Sequence, residues 1–509
     1  MDLAEKVGQL FFLPIPGTKL TLGGERILRM IKPGGVILFS HNFSTAEEAR
    51  SFISELKAII SPPPLIAIDE EGGSVSRLGA ITSPMPSAMA VGATGSEILA
   101  YRQGQLTGRL LSFLGVDINF APVLDLSLGP PENGIGVRSF GSDPDLVIRM
   151  GRSYLKGLHR EGVAGVVKHF PGLGASKVDS HHELPLIKRK RNRLIEEDIS
   201  PFRQLLSSPP YPSVMVGHGY YPHLAPGEKL PASLSPVIVS ELLRDELGVS
   251  GLIFTDDLAM GAVVADFSLA EAAVKALDAG AEVLLTTHPW EEVEEAKQYL
   301  ISLIERGKLS VLRLESAVNR ILMFKRKREK KEEQSLSSFK ELSAELEAHS
   351  KGVAEKSATI VKAWKKGISK KGKTAIYIPK DPPFSDPLSK EPAPEIKETI
   401  KKLLPTASIH HYPLNEDKIS SAKCALVVLL SPSIDGKTRA SLSRIRNKSS
   451  RVFAILLDFP RIPKELSPDG GVAVYFKGAV PLSAGISVLL GELPASGTLP
   501  ISPDLANDE

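Results

Sequence analysis

The feature that most constrains the fold is a repeated alternation of short apolar runs and helix-like segments through the first two thirds of the chain. Helix-like segments such as 46–59, 97–114, 144–161 and 269–279 separate most of these runs. Repeated strand–helix units favour a parallel sheet, and eight of them favour a closed (β/α)8 barrel. Periodicity alone leaves a doubly wound open sheet as the alternative. The predicted strands span residues 10–15, 35–39, 65–68, 118–124, 163–167, 214–216, 252–254 and 283–285.

The rest of the chain predicts a second, smaller domain, since 509 residues exceed one typical core. The predicted fold class is α/β, a (β/α)8 TIM-type barrel followed by a smaller αβα sandwich-like domain. The expected divisions are a barrel over 1–325, a charged helical linker over 326–365 and the second domain over 366–509. The charge run at 325–333 contains several glutamates, which indicates a solvated helix end rather than a nucleic-acid contact. Apolar runs at 374–378, 425–430, 452–457 and 472–476 predict the strands of the second domain, and 483–490 its closing helix.

Bulk composition excludes several classes of partner. Lys and Arg total 62 against 59 for Asp and Glu, so the formal charge of +3 gives no reason to expect nucleic acid. Cys424 is the single cysteine, which rules out an intrachain disulfide and a cysteine-rich zinc site. No run approaches the ~20 apolar residues of a membrane span. The first residues lack the features of a signal peptide, so a cytoplasmic location is expected. The oligomeric state is left open.

Polar side chains follow the predicted strands from the third to the eighth. In a barrel the carboxyl ends of all strands meet at one rim, which is where barrel enzymes place their active sites. Agreement between so many separate segments predicts an enzyme. The residues concerned are Asp69, Asp125, Lys168, His169, His218, Asp256 and His288.

Two short segments, 179–181 and 256–257, indicate a reaction type. Asp179 precedes His181 by two residues, so its carboxylate could orient the imidazole and raise its basicity; an ordinary solvated loop would show the same pattern. Asp256 ends an apolar strand and could be a nucleophile, a metal ligand or a helix cap, while Asp257 is placed to cap the following helix. No spacing typical of metal ligands occurs, so neither a metal nor a cofactor is predicted.

Asp256, His181 and Asp179 together supply what a retaining glycosidase needs. Asp256 could attack the anomeric carbon, and His181 could protonate the leaving oxygen and then deprotonate water. Asp179 would hold the imidazole in one tautomer and stabilise its cation. The three residues are therefore the predicted catalytic group.

Further residues at the same rim would bind sugar hydroxyls. For Arg138 the alternative is a structural ion pair with Asp69 or Asp125, and for His169 and His218 it is a hydrogen-bonded bridge between strands. Charge-assisted hydrogen bonds to hydroxyls contribute about 1.5–3 kcal/mol each. The candidate ligands are Asp69, Arg138, Lys168, His169 and His218.

Eight motifs give the chain a resemblance to glycoside hydrolase family 3, and within it to the bacterial two-domain β-N-acetylglucosaminidases. The resemblance implies Asp256 as nucleophile, His181 as acid/base supported by Asp179, a GlcNAc-containing carbohydrate as partner, and no metal. It also implies that Asp69, Arg138, Lys168 and His169 bind the non-reducing sugar. The motifs lie at 67–73 (AIDEEGG), 119–125 (NFAPVLD), 138–141 (RSFG), 168–172 (KHFPG), 179–181 (DSH), 231–235 (PASLS), 255–258 (TDDL) and 494–500 (PASGTLP).

The implied activity is retaining, exo-acting hydrolysis of terminal β-linked GlcNAc from cell-wall muropeptides or chitin-type oligosaccharides. The alternatives are a β-glucosidase or β-xylosidase of the same family, a GlcNAc phosphorylase, a barrel aldolase with Lys168 as Schiff-base amine, and an inactive sugar-binding protein. The chain departs from its relatives at 172–176, where it reads GLGAS and many of them read GHGDT. That departure concerns loop mobility and leaving-group preference.

Overall fold

The computed structural model describes residues 1–83, 85–327, 337–380, 393–413, 423–430 and 434–506. Its first part contains eight parallel strands whose burial is nearly complete. They are β1 (Phe11–Pro14), β2 (Gly35–Leu38), β3 (Leu65–Ile68), β4 (Ile118–Asn119), β5 (Ala164–Phe170), β6 (Ser213–Val216), β7 (Ile253–Thr255) and β8 (Leu284–Leu285).

The eight strands form a closed barrel. Each strand from β1 to β6 pairs in parallel with its successor, and β1 also pairs with β8. A parallel bridge between Phe254 and Val283 completes the ring, and the Thr255 amide donates to the Val283 carbonyl at 2.9 Å. The predicted barrel is therefore confirmed, and the open doubly wound sheet is excluded.

Helices surround this barrel and return the chain from one strand to the next. Asp143 caps the helix that begins at Pro144, as its sequence predicts. Two π-helical segments, Leu194–Asp198 and Val237–Glu246, take part in the same ring. The α-helices are α1 (Leu3–Gly8), α2 (Leu22–Ile31), α3 (Ala46–Ile59), α4 (Ala88–Thr94), α5 (Glu97–Leu114), α6 (Pro144–Arg160), α7 (Arg191–Arg193), α8 (Ser200–Leu206), α9 (Gly261–Val264), α10 (Leu269–Ala279), α11 (Trp290–Glu305) and α12 (Val311–Arg326).

Side chains fill the inside of the barrel. The ring of Phe254 meets those of Phe12 and Phe120 edge-on, with centroids 5.5 and 5.6 Å apart. Gly35 on β2 makes room for Phe12, since a Cβ there would lie 2.4 Å from the phenyl ring. This packed core leaves the carboxyl rim as the place where polar side chains collect.

In two strands, the difference from the predicted bounds affects the site. β4 ends at Asn119, and Val123 rejoins the ladder through one bridge to Lys168, because Pro122 lies between and has no N–H to donate. β5 runs on to Phe170, so Lys168 and His169 are strand residues rather than loop residues. The peptide bond between them is cis.

The second part of the chain is a six-stranded sheet in the order β11-β10-β12-β13-β14-β9, in which β9 is the antiparallel edge. The sequence did not predict β9 or β11, since both are edge strands with polar, partly exposed side chains. β9 falls within the range predicted as a linker. The strands are β9 (Thr359–Lys362), β10 (Thr374–Pro379), β11 (Ser408–Tyr412), β12 (Cys424–Leu429), β13 (Arg451–Leu456) and β14 (Gly470–Ala473).

Helices also flank this second sheet. The long α13 packs against α4 and α5 of the barrel and against α16. Residues 328–333 of the predicted charge run lie outside the described residues. Within the described ranges no helix is both long and apolar enough to cross a membrane. The helices are α13 (Ser337–Ser357), α14 (Pro394–Leu403), α15 (Gly436–Lys448), α16 (Ala479–Leu490) and α17 (Pro503–Ala506).

The two sheets are joined beside the segments that carry rim residues. The Ser87 hydroxyl donates to the carbonyl of Tyr475 at 2.7 Å, and the amide of Ser142 donates to Pro500 at 2.9 Å. Arg461 forms an ion pair with Glu132 at 3.0 Å. The second domain therefore touches the stretch 131–142, which contains Arg138.

Candidate active site

A cavity of about 160 Å³ lies at the carboxyl ends of the barrel strands. A larger cavity, about 370 Å³, lies at the opposite end near the starts of β5 and β6, and no predicted site residue lines it. The rim cavity is the candidate active site because it collects titratable groups from separate strands. Seven of the predicted residues line it: Asp69, Arg138, Lys168, His169, Asp179, His181 and Asp256.

One wall of the cavity is a cluster of four charged side chains, Asp69, Glu71, Arg138 and Lys168, called here the ion cluster. The Lys168 ammonium lies 2.6 Å from Asp69 Oδ1 and 2.6 Å from Glu71 Oε1. Arg138 holds the same Glu71 through two parallel bonds of 2.9 Å, from Nε and Nη2. Glu71 thus links both cations, and its two bonds with Arg138 form a bidentate guanidinium–carboxylate pair.

The charges of the ion cluster are fixed by mutual pairing. Burial opposes ionisation of Glu71, but Arg138 and Lys168 hold the pKa of its carboxyl well below the ordinary value. Burial also opposes the charge of Lys168, and Asp69 and Glu71 raise the pKa of its ammonium above the ordinary value. The cluster therefore presents a fixed ammonium, guanidinium and carboxylate to whatever enters the cavity. Groups of this kind bind sugar hydroxyls.

His169 is oriented by a buried carboxylate. Its Nδ1 lies 2.6 Å from Asp125 Oδ2, and its backbone amide donates to the same oxygen at 3.1 Å. The other oxygen of Asp125 accepts from the Leu173 amide at 2.6 Å. With Nδ1–H directed at Asp125, Nε2 faces the cavity 3.3 Å from Arg138.

Asp256 lies directly after β7, at the base of the cavity. Its backbone is held by the Val216 carbonyl at 2.9 Å, and its Oδ1 accepts from the Asp257 amide at 2.9 Å. Burial alone would raise the pKa of Asp256. The ring of His169, the hydrogen bond from the Asp257 amide and the ammonium of Lys168 instead hold that pKa below the ordinary value. The group is therefore an ionised carboxylate at neutral pH, which is the state a nucleophile needs.

Asp179 and His181 form a pair on the outer wall of the cavity. His181 Nδ1 lies 2.6 Å from Asp179 Oδ1, which also accepts from the His181 amide at 2.9 Å. The hydrogen bond that His181 donates to Asp179 raises the pKa of the imidazole, and burial does not cancel this effect. Burial would raise the pKa of Asp179, but its bonds to His181 lower that pKa to about 2. The imidazole is 61% exposed, so its Nε2 is open to substrate and solvent.

The structure corrects the prediction that His218 contacts substrate. The ring is fully buried, and both nitrogens are engaged, with Ser233 Oγ at 2.7 Å and the Asp257 carbonyl at 2.9 Å. Burial lowers the pKa of His218, so the ring is neutral. Since a carbonyl only accepts, Nε2 carries the proton and Nδ1 accepts from Ser233. His218 thus holds the backbone of Asp257, next to Asp256, by a hydrogen bond. This is the hydrogen-bonded bridge between strands that the sequence left as the alternative role.

Asp257 also differs from its predicted role as a cap of the next helix. That helix, α9, begins at Gly261 and has no side-chain cap. Asp257 accepts instead from the Ala259 amide at 2.9 Å and from the Thr287 hydroxyl at 2.6 Å. It therefore ties the loops after β7 and β8 together.

In the described part of the chain, no three His, Cys, Asp or Glu side chains form a metal-binding group.

Sequence reasoning missed two residues of the site. Glu71 lies within the 67–73 motif, but no role was predicted for it, and the alternative ion pair for Arg138 was with Asp69 or Asp125. Arg77 was not considered, yet it lines the cavity with its guanidinium 5.4 Å from the ring centroid of Phe39. The available signal was position, since both residues lie on the loop that follows β3.

Several known proteins are similar to this chain in sequence and in fold. The family model for the glycosyl hydrolase family 3 N terminal domain matches residues 2–324. A "Beta-hexosaminidase" of Alkalilimnicola ehrlichii is 39% identical over 282 residues, which are 54% of this chain and 80% of that protein. The solved structure of a family 3 beta-N-acetylglucosaminidase from Paenibacillus is similar over 99% of both chains, at 29% identity and a TM-score of 0.89. A beta-glucoside phosphorylase, 24% identical with a TM-score of 0.84, shares the fold over 99% of this chain and 94% of its own.

Proposed function

This chain belongs to glycoside hydrolase family 3, and we propose that it removes terminal, non-reducing β-linked GlcNAc from oligosaccharides with retention of configuration. The observation that carries the proposal is the shared cavity of Asp256 and His181. An ionised carboxylate and a carboxylate-paired imidazole meet there beside the ion cluster. The named activity of the Beta-hexosaminidase relatives and of the Paenibacillus enzyme supports the sugar specificity.

In the first step Asp256 attacks C1 of the bound sugar and forms a covalent glycosyl ester. The C1–O bond breaks as the proton on His181 Nε2 passes to the leaving oxygen. Asp179 stabilises the imidazolium before the transfer and keeps Nδ1 protonated after it.

In the second step a water takes the place of the leaving group. Nε2 of His181 is now a base and removes a proton from this water as its oxygen attacks C1. The ester bond to Asp256 breaks, which releases the sugar with its original configuration and restores both groups. The ion cluster, His169 and Arg77 hold the sugar hydroxyls throughout.

Two alternatives are weaker on the same geometry. An aldolase needs a neutral Lys168 amine, whereas Asp69 and Glu71 raise the pKa of that ammonium. For the β-glucosidase alternative the family resemblance implies an acid glutamate from the second domain, but all residues that line the cavity in the described ranges lie between 37 and 287. This supports the proposal that both catalytic groups come from the barrel.

Hydrolysis of 4-nitrophenyl glycosides tests the proposed substrate. We expect GlcNAc release to exceed glucose and xylose release by at least ~100-fold, because a buried polar site rejects a sugar that leaves its groups unpaired. Similar rates on GlcNAc and glucose would contradict the sugar assignment. The same panel run with phosphate separates a hydrolase from a phosphorylase, since GlcNAc 1-phosphate as main product would contradict hydrolysis. Muropeptide and chitin oligosaccharides are then compared as natural substrates.

Asp179→Asn tests the acid/base pair. Because Asp179 raises the pKa of His181, its removal lowers that pKa and leaves less imidazolium at neutral pH. We expect the basic limb of kcat/KM against pH to move to lower pH, with a loss of ~10²-fold or more on substrates with poor leaving groups. A basic limb that stays in place would show that another group is the acid.

A further inference from the structure

A direct contact joins the turn after the proposed nucleophile to the loop that carries the proposed acid. We infer that Gly261, together with the amide of Ala262, docks the 174–187 loop and so positions His181 for protonation of the leaving group. The inference rests on the proposed function, since it assigns a positioning role for that same reaction. It concerns a residue that touches neither sugar nor reacting atoms.

The two ends of the 174–187 loop are fixed by other parts of the barrel. At one end the side-chain amide of Asn133 donates to the carbonyl of Ser176 at 3.2 Å. At the other end the amide of Ile187 donates to the carbonyl of Tyr220 at 2.9 Å. His181 lies midway between these anchors, so neither end fixes the position of its ring.

The middle of the loop is held by two backbone bonds from the start of α9. The Gly261 amide donates to the carbonyl of His181 at 3.1 Å, and the Ala262 amide donates to that of Ser180 at 3.2 Å. Gly261 follows Asp256 by five residues on the same short segment. The same short segment, 256–262, therefore carries the nucleophile and holds the loop of the acid, which limits how far the two groups can separate.

The close packing of the start of α9 against the 174–187 loop requires glycine at position 261. A Cβ there would lie 2.5 Å from the carbonyl oxygen of His182 and 2.8 Å from that of His181. Those atoms belong to the backbone and cannot turn aside as a flexible side chain does. Gly261 is not among the residues with positive φ, so alanine suits its backbone conformation. An alanine would thus push the loop outward without straining α9 itself.

Gly261→Ala tests the inference through the choice of leaving group. The 2,4-dinitrophenolate leaving group departs without help from an acid. The leaving group of a phenyl glycoside or a disaccharide needs the proton from His181. We expect the dinitrophenyl rate to stay within about twofold, and the phenyl and disaccharide rates to fall ~10-fold or more, since general acids contribute ~10²–10⁴-fold. The matched control is Gly23→Ala, where the nearest heavy atom to the new Cβ is 3.9 Å away; all its rates should equal those of the wild type.

Two further measurements keep the inference testable if Gly261→Ala does not fold. Ala262→Pro removes only one of the two donated bonds, because proline is accepted in the first turn of a helix, and should show the same leaving-group pattern. Hydrogen exchange on the wild type should show protected amides at Gly261 and Ala262. A folded Gly261→Ala variant with the wild-type leaving-group dependence, or rapid exchange at both amides, would overturn the inference. Failure of the proposed function would look different, since the wild type itself would then hydrolyse no GlcNAc glycoside.

Discussion

Replacement of Asp256 by alanine is expected to lower kcat on 4-nitrophenyl GlcNAc by at least ~10⁴-fold, the scale seen when a covalent catalyst loses its nucleophile. The physical reason is that, among the described residues, the other carboxylates lining the cavity are already held by neighbouring cations or hydrogen-bond donors; they are Asp69, Glu71, Asp179 and Asp257. Sodium azide should restore part of the rate with an activated substrate. Azide would attack C1 from the face that Asp256 used, the C1–O bond would break, and the product would be the α-glycosyl azide.

The anomer of this product makes the test specific. A variant that lost activity through general damage would not be rescued, and it would not yield an inverted azide. Asp266→Ala is the matched control, because Asp266 is exposed in the turn after α9 and lies outside the cavity lining. It should keep the wild-type rate. An Asp256→Ala enzyme with more than a tenth of wild-type activity would remove Asp256 from the mechanism.

Glu71→Gln is expected to have the largest effect on stability. The substitution keeps the shape of the side chain and removes the charge that Arg138 and Lys168 share, so two buried cations would be left with Asp69 alone. Removal of one partner from a buried ion pair costs roughly 3–5 kcal/mol, and the free energy of unfolding should fall by about that amount. The kcat/KM on GlcNAc substrates should fall ~10²-fold, as expected when substrate ligands are misplaced by about 1 Å.

Urea unfolding of Glu71→Gln and a control variant measures this effect. Glu25→Gln is suitable, because Glu25 pairs with Arg29 at 2.7 Å on the exposed side of α2 and the arginine side chain is 57% exposed. Exposed pairs of this kind contribute about 0.3–0.5 kcal/mol. Equal losses in the two variants would mean that Glu71 does not hold the ion cluster together.

The barrel was predictable because its strands are buried on both faces and therefore read as uninterrupted apolar runs. The end of β4 was not predictable, because Pro122 interrupts the hydrogen-bond ladder between β4 and β5 within a run that is otherwise apolar. β9 and β11 were missed for the opposite reason. As edge strands they have fewer neighbours and carry polar side chains such as His410, so local composition resembles that of a loop.

Residues of the site were predictable where a strand delivers them, as for Asp256 and Lys168. The pairing of Arg138 with Glu71 was not predictable. The two side chains meet through the folding of two separate loops, and spacing in the sequence carries no information on that contact. His218 shows the converse. Its place after a strand matched the pattern of a ligand, but the ring turns into the protein toward Ser233, and burial decides its role.

The most direct test of Asp256 as the nucleophile is the residue to which a trapped sugar is covalently attached. A 5-fluoro GlcNAc fluoride forms the glycosyl ester quickly and releases it slowly, so the labelled enzyme can be digested and sequenced by mass spectrometry. We predict one sugar adduct, on the carboxylate of Asp256. An adduct on any other residue would contradict it, and so would turnover of the fluoride with no adduct, because the sugar's own acetamido group would then be the nucleophile.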